Sequence, residues 1–259
     1  MITILPEILV DSQNGVLTLT FNRLDKKNSV TSSMYAALAD EFEEAKSDKS
    51  IRVVVLQGHE QIFSAGNDLG DFLKSPPTSD DAPVWRFLHG ISSFPKPIIA
   101  AVCGAAVGIG TTLLLHCDLV YAGSNAKFSL PFVNLGLCPE AASSFLLPRL
   151  MGHQRASEAL LFGDPLSVEE AARFGIVNRV LPPEEVNAYA QAQARKLAEK
   201  PLSSLLETKR LLKLETGTKV KERMKEEGQV FSQMLDAPAV KEAISAFMEK
   251  RKPDFSKTY

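Results

Sequence analysis

The sequence predicts an α/β fold with a helical tail, and three observations predict it. Residues 51–56 (IRVVVL) and 97–102 (PIIAAV) are nearly continuous apolar runs rich in β-branched side chains, the pattern of strands buried on both faces. A third run follows at residues 119–122 (LVYA), and helical patterns lie between the three. Strands alternating with helices argue for an α/β fold with crossover connections. Beyond residue 181 the strand patterns stop and four helical stretches follow.

The elements follow in order. Residues 7–10 and 16–21 are short β-rich runs around Asn14-Gly15, a hairpin signal because both residues tolerate positive φ. Residues 31–46 read as an amphipathic helix, with Met34, Leu38, Phe42 and Ala45 spaced at three and four and Thr31 as the N-cap. After the apolar strands, residues 178–181 form a last short strand that Pro182-Pro183 closes. Helical stretches are then expected at 184–199, 202–214, 218–235 and 239–251, punctuated by Pro201, Gly217 and Pro238. The organisation expected is a body over residues 1–195 and a helical region over 196–259. The tail is too thin to bury its own faces, so it is expected to pack on the body or on another subunit.

Composition narrows the function classes. The chain has 259 residues, 45% hydrophobic and 23% charged, which are ordinary globular values. Its 29 basic and 31 acidic side chains leave a formal charge of −2, against a broad nucleic-acid or anionic-membrane surface. No apolar run approaches the roughly 18 residues of a membrane span. The N-terminal ten residues carry an acid and no basic region, so no leader peptide is expected. Ser256-Lys257-Thr258-Tyr259 is not a Ser-Lys-Leu signal, which leaves the cytoplasm as the expected location. Three cysteines without a CxxC pair and four scattered histidines disfavour a disulfide framework and a metal site. Charge is uneven, however: residues 195–259 carry +5 (15 basic, 10 acidic) and the rest −7. The basic tail reads either as solvated helix faces or as a surface that meets phosphates.

Gly104, Gly108 and Gly110 fit neither the dinucleotide fingerprint nor a phosphate loop, and there is no G-x-S-x-G elbow. Two segments remain that deliver backbone amides after buried strands. Residues 63–68 (FSAGND) follow the 51–56 strand, and their small side chains suit either a tight loop or amides open to a ligand. Residues 103–110 (CGAAVGIG) lead into the apolar stretch 111–115. A helix starting near Gly108 has unsatisfied first amides and a positive dipole end, an anion site; the alternative is glycines that permit close helix–strand packing.

Taken together these motifs resemble the enoyl-CoA hydratase/isomerase family, the crotonase superfamily. The carriers are FSAGNDL at 63–69, FPKPIIAAVCGAAVGIG at 94–110, CDLVYA at 117–122, AKFSLP at 126–131, LGLCPE at 135–140 and GIVNRV at 175–180. NRLDKKNSV at 22–30 is similar to the family's first signature, so the resemblance covers essentially the whole chain. It implies a crotonase-like spiral of ββα turns with a C-terminal helical trimerisation region, a homotrimer or hexamer, and coenzyme A thioester substrates. No separate cofactor is implied, because coenzyme A is part of the substrate.

Carried over by position, the resemblance makes the backbone N–H groups of Asn67 and Ile109 an oxyanion hole, with Ala65, Gly66, Asp68, Leu69 and Gly108 around them. Two preorganised amides stabilise the enolate formed when a proton leaves the carbon α to a thioester. Hydratases of the family commonly carry two glutamates, whose positions here hold Thr112 and Phe132. Neither transfers a proton to carbon. The remaining carboxylate is Glu140, where the chain most resembles the peroxisomal-type Δ3,Δ2-enoyl-CoA isomerases. One carboxylate suffices to move a proton from C2 to C4, provided that an apolar pocket raises its pKa. Phe132, Leu135 and Leu137 are candidate walls for such a pocket.

Read without the resemblance, Pro139-Glu140 is ordinary helix-start chemistry for a helix over 141–147. Asp68 and Asp118 are read as hydrogen-bonding scaffold and His116 as a satisfied core histidine. His59 and Glu60 are read as loop decoration, and Trp85 and Phe87 as acyl-pocket lining or plain packing. Lys26, Lys27, Lys250 and Arg251 are candidate contacts for the coenzyme A phosphates. Two alternatives to the isomerase stay open: a hydratase with one carboxylate, and a non-catalytic acyl-CoA-binding module.

Overall fold

The computed structural model describes residues 6–74 and 81–258. Residues 1–5 and Tyr259, which entered the reading of the two termini, lie outside the described residues. Strands β1 (Ile8–Gln13) and β2 (Val16–Phe21) form the expected hairpin, with Asn14 and Gly15 at φ 53° and 81°. Helix α1 (Ser32–Ser47) follows, and the Thr31 hydroxyl accepts from the Met34 N–H at 3.3 Å, the predicted cap.

Two sheets then grow in alternation. The first has the order β1, β2, β3 (Val53–Gln57), β5 (Ile98–Val102), β7 (Leu119–Gly123) and β10 (Arg179–Leu181), parallel except for the opening hairpin. The second has the order β4 (Ile62–Ser64), β6 (Ala105–Val107), β8 (Lys127–Ser129) and β9 (Leu166–Ser167). Each of β3, β5 and β7 is followed within a few residues by a strand of the second sheet, which is the ββ part of a ββα turn. The crossovers use α2 (Leu69–Lys74), α3 (Pro83–Ser93) and the one-turn α4 (Ile109–Thr112). After β8 come α5 (Ser143–Met151), α6 (His153–Phe162) and α7 (Val168–Arg173). The expected spiral is therefore present.

The central strands β3, β5 and β7 of the first sheet are buried on both faces, which is why they read as apolar runs. Val54, Leu56, Ile98, Ala100 and Val102 point into the main core with Phe63, Phe87 and Leu88. Val53, Val55, Ile99 and Ala101 point the other way, onto Val186, Ala190 and Ala194 of α8 (Val186–Ala198). The four-residue spacing in α8 gives one apolar stripe, and a slip of one residue in β3 would exchange the two sets.

The tail packs as expected on the body. α10 (Gly217–Met234) buries Val220, Met224 and Phe231, and α11 (Pro238–Met248) buries Val240, Ala243 and Ala246. α9 (Leu202–Leu212) buries only Lys209, whose ammonium bonds Asp118 Oδ2 at 2.6 Å and the Lys96 carbonyl at 2.7 Å. Leu211, Leu212, Leu214, Phe247 and Met248 remain exposed on this region. Among the described residues no helix is long and apolar enough to cross a membrane.

Candidate active site

The two amide-bearing loops leave neighbouring parallel strands in the same direction. β4 pairs with β6, with Ile62 opposite Ala105 and Ser64 opposite Ala106. The contact beyond the strands is too close for side chains: a Cβ on Gly66 would sit 3.0 Å from the Val107 carbonyl oxygen, and one on Gly110 would sit 3.0 Å from that of Ser64. Gly66 also holds φ 92°, so it meets both demands that glycine alone satisfies.

The first loop is fixed by the 22–30 segment. The Asn28 side-chain amide donates to the Ile62 and Phe63 carbonyls, Ser64 Oγ donates to the Asn28 carbonyl, and the Ala65 N–H donates to that of Lys27. Val30 pairs with Asn67 in an isolated bridge, its N–H bonding the Gly66 carbonyl and its carbonyl accepting from the Asp68 N–H. That bridge uses the groups on either side of Asn67, so the Asn67 N–H faces away from Val30. On the second loop the Gly108 N–H bonds the Ser129 carbonyl, and the Thr111 and Thr112 N–H groups both bond the Gly108 carbonyl. Ile109 opens α4 directly after Gly108, which has φ 53° and ψ −117°. Among the described residues neither the Asn67 nor the Ile109 N–H has an acceptor.

Glu140 is a buried carboxyl that Tyr35 connects to the first loop. It is 6% exposed, and its Oε1 has no hydrogen-bond partner among the described residues. Burial first, and the Glu227 carboxylate second, push its pKa up to about 8. The Tyr35 hydroxyl links it to the first loop: it donates to Asn67 Oδ1 at 2.5 Å and lies within electrostatic reach of Glu140. Burial and that carboxyl hold the Tyr35 pKa well above its ordinary value. Phe132 and Leu137 are buried in the same core as Ala141 and Ala142, and Leu135 packs half-buried against it.

The expectation of a helix over 141–147 that starts at Pro139-Glu140 is corrected. Ala141 and Ala142 take left-handed φ of 58° and 57°, and α5 begins only at Ser143. A left-handed conformation costs roughly 1–2 kcal/mol per non-glycine residue, so tertiary contacts must hold it. His116 Nε2 bonds the Ala141 carbonyl at 2.9 Å, and Glu227 bonds the Ala142 and Ser144 N–H groups at 2.6 and 3.0 Å. His116 is thus a satisfied core histidine, its pKa lowered by burial to about 4.

The other sequence candidates fall in three places. Ala65, Gly66, Asn67 and Gly108 lie on the two loops, and half-buried Leu69 opens α2. Asp68 serves the scaffold: Arg23 bonds it at 2.7 Å and it accepts the Asp71 N–H. Asp118 serves it too, accepting the Ile98 N–H and the Lys209 ammonium. Lys26 and Lys250 are exposed, and no ion pair or side-chain hydrogen bond ties either to the loops. Arg251 is held by Glu242 and Glu249 at 2.5 and 2.6 Å. Phe87 packs in the core against Tyr35 and Phe42, and Trp85 is half-buried near Gly228. Among the described residues no group of three His, Cys, Asp or Glu is placed to hold a metal ion.

Sequence reasoning did not find Tyr35, Ser144 or Glu227. Tyr35 sits in a helix pattern that explains it as core, and Glu227 lies in a Lys-Glu-Glu run that reads as a solvated face.

From residue 11 to residue 258 the sequence matches the family described as Enoyl-CoA hydratase/isomerase. The chain belongs to that family. Among relatives, it is 35% identical to the 2,3-dehydroadipyl-CoA hydratase of Escherichia coli, covering 96% of this chain and 98% of the relative. It is 36% identical to the enoyl-CoA delta isomerase 2 of Rattus norvegicus over 80% of this chain, but only 54% of that longer protein. The crystal structure of an enoyl-CoA hydratase/isomerase from Pseudoalteromonas atlantica superposes with a TM-score of 0.93 at 41% identity, over 97% of this chain and 100% of that one. The protein is therefore an enzyme of the enoyl-CoA hydratase/isomerase family with that family's fold, and its named relatives divide between hydratases and isomerases.

Proposed function

We propose that the protein is an enoyl-CoA isomerase that moves a double bond from C3–C4 to C2–C3 of an acyl-CoA. The observation that carries the proposal is the pairing of one buried, unpartnered carboxyl, Glu140, with two acceptor-free amides, Asn67 and Ile109. The thioester oxygen accepts from both amides. Glu140 takes the C2 proton, and the electron pair flows through C1 onto that oxygen to give a dienolate. The same carboxyl then gives its proton to C4, the double bond settles between C2 and C3, and the carbonyl re-forms. Proton and electron counts close without a redox partner, and coenzyme A enters as part of the substrate.

An acid with a pKa of about 8 suits this cycle. Its conjugate base is stronger than an ordinary carboxylate, and its proton remains available to the γ-carbon. Adding water would need a second group to activate the water, and Thr112 and Phe132 stand where the family's hydratases carry acids. Lys26 and Lys250 are the proposed phosphate contacts of coenzyme A, and Arg251 is a weaker candidate because Glu242 and Glu249 already neutralise it. The exposed apolar residues of the helical region are proposed to meet further copies of the chain in a trimer or hexamer.

The test is a side-by-side assay on 3-hexenoyl-CoA and 2-hexenoyl-CoA with wild type and Glu140→Gln. Wild type is expected to isomerise the first faster than it hydrates the second. The variant is expected to lose at least about 100-fold in turnover with acyl-CoA affinity little changed. Faster hydration supports the single-carboxylate hydratase instead, and binding without turnover of either substrate supports the non-catalytic module. A variant that isomerises as fast as wild type removes Glu140 from the mechanism.

A further inference from the structure

Glu227 comes from α10, far along the chain from either loop, yet both its carboxyl oxygens are spent on the turn that follows Glu140. Oε2 accepts the Ala142 N–H at 2.6 Å, and Oε1 accepts the Ser144 N–H at 3.0 Å and the Ser144 hydroxyl at 2.5 Å. Arg223, one turn earlier on α10, donates to Ser144 Oγ at 3.0 Å. The Glu227 side chain is buried, and its own backbone carbonyl accepts from Cys138 Sγ at 3.7 Å. Every group aimed at its two oxygens is a donor, a pattern that an ionised carboxylate satisfies and a glutamine does not.

We propose that Glu227 is a positioning residue for Glu140: its carboxylate grips the left-handed turn at Ala141-Ala142 and so aims the Glu140 carboxyl at the acyl chain. This deepens the isomerase reading and rests on it. Two consecutive alanines do not choose left-handed φ by themselves, so an external clamp is required, and the Glu227 contacts supply it together with the His116 bond to the Ala141 carbonyl.

The same geometry has an electrostatic side. Among the described residues the groups in electrostatic contact with Glu140 are Glu227 from α10, Tyr35 from α1 and Cys138 from its own segment, and none of them brings a positive charge. Burial raises the Glu227 pKa, and the Ser144 and Ala142 donors together with Arg223 oppose that rise and favour its ionised form. With Glu227 holding its charge through three donors, the shared site takes up its proton on Glu140.

The experiment compares wild type with Glu227→Gln and Glu227→Asp by two readouts. The first is the titration of Glu140 itself, followed by carboxyl 13C NMR in protein made with labelled glutamate and assigned with Glu140→Gln. Glu227→Gln is expected to move that titration down by roughly one pH unit, and Glu227→Asp to leave it near the wild-type value. The second is turnover of 3-hexenoyl-CoA, expected to fall about 10- to 100-fold in kcat for both variants with KM within about twofold. An unmoved Glu140 titration in Glu227→Gln, or an unchanged kcat in both variants, overturns the proposal. Wild type that fails to isomerise sinks the isomerase reading alone, because the NMR titration needs no turnover and still decides the role of Glu227. Should Glu227→Gln not fold, Ser144→Ala carries the test, since it removes one donor and keeps both carboxyls. A kcat about 10-fold lower at unchanged KM supports the clamp, and an undiminished kcat overturns it.

Discussion

Replacing Glu140 by glutamine removes a charge that the folded state resists carrying. Burial and Glu227 raise the Glu140 pKa from an ordinary 4.5 to about 8. Between those two values the folded chain holds a proton that the unfolded chain has released. Its contribution to stability is therefore full below about pH 4.5 and is lost as pH rises through about 8. At about 1.36 kcal/mol per pKa unit the loss amounts to roughly 5 kcal/mol, a large share of the ~5–15 kcal/mol that holds a typical domain together. Glu140→Gln keeps the shape and removes the titration. Urea unfolding of both proteins at pH 5, 7 and 9 measures the effect. The two are expected to lie close together at pH 5, with the variant several kcal/mol more stable at pH 9. A stability difference that is the same at all three pH values would refute the reasoning, because it would mean that Glu140 titrates alike in the folded and unfolded chains.

The same pKa predicts that kcat/KM for 3-hexenoyl-CoA rises with pH through about 8 as Glu140 becomes the free base; a profile already flat by pH 6 contradicts it. Gly108→Ala has room for its methyl group but not for its backbone, at φ 53° and ψ −117°. It is expected to cost about 1–3 kcal/mol in chemical unfolding and to lower kcat more than it changes KM, because the Ile109 N–H loses its aim. Tyr35→Phe frees the Asn67 side chain and is expected to cost about 1 kcal/mol with a several-fold fall in kcat, read by thermal unfolding and steady-state kinetics. Lys209→Met leaves Asp118 and the Lys96 carbonyl without their ammonium partner. It is expected to lower the urea midpoint by an amount worth about 3 kcal/mol while kcat of the folded fraction stays near wild type.

Much of the fold was legible because the central strands of the first sheet are buried on both faces. Burial on both sides removes polar alternation, so β3, β5 and β7 announce themselves as apolar runs. The second sheet was not legible in the same way. β4, β6 and β8 have three residues each, too few for any periodicity, and glycine contacts with neighbouring backbone set their placement. α7 did have a local signal that went unread, the capping box in which Ser167 and Glu170 bond each other's N–H groups.

At the site, the loop motifs marked the two segments, and the resemblance marked the Asn67 and Ile109 amides and Glu140. Its surroundings were hidden by their locality. Pro139-Glu140 has every local feature of a helix start, and a carboxylate 87 residues later keeps the chain from using it. Glu227 and Lys209 sit in charged runs that look solvated, and only the packing of α10 and α9 shows that one member of each run points inward.

The groups proposed to receive the oxygen belong to the peptide chain itself and not to any side chain. Point substitution at Asn67 or Ile109 cannot delete them, short of proline. Exchanging the acids and bases on this scaffold, and with them the reaction, thus leaves the proposed means of taming the carbanion in place.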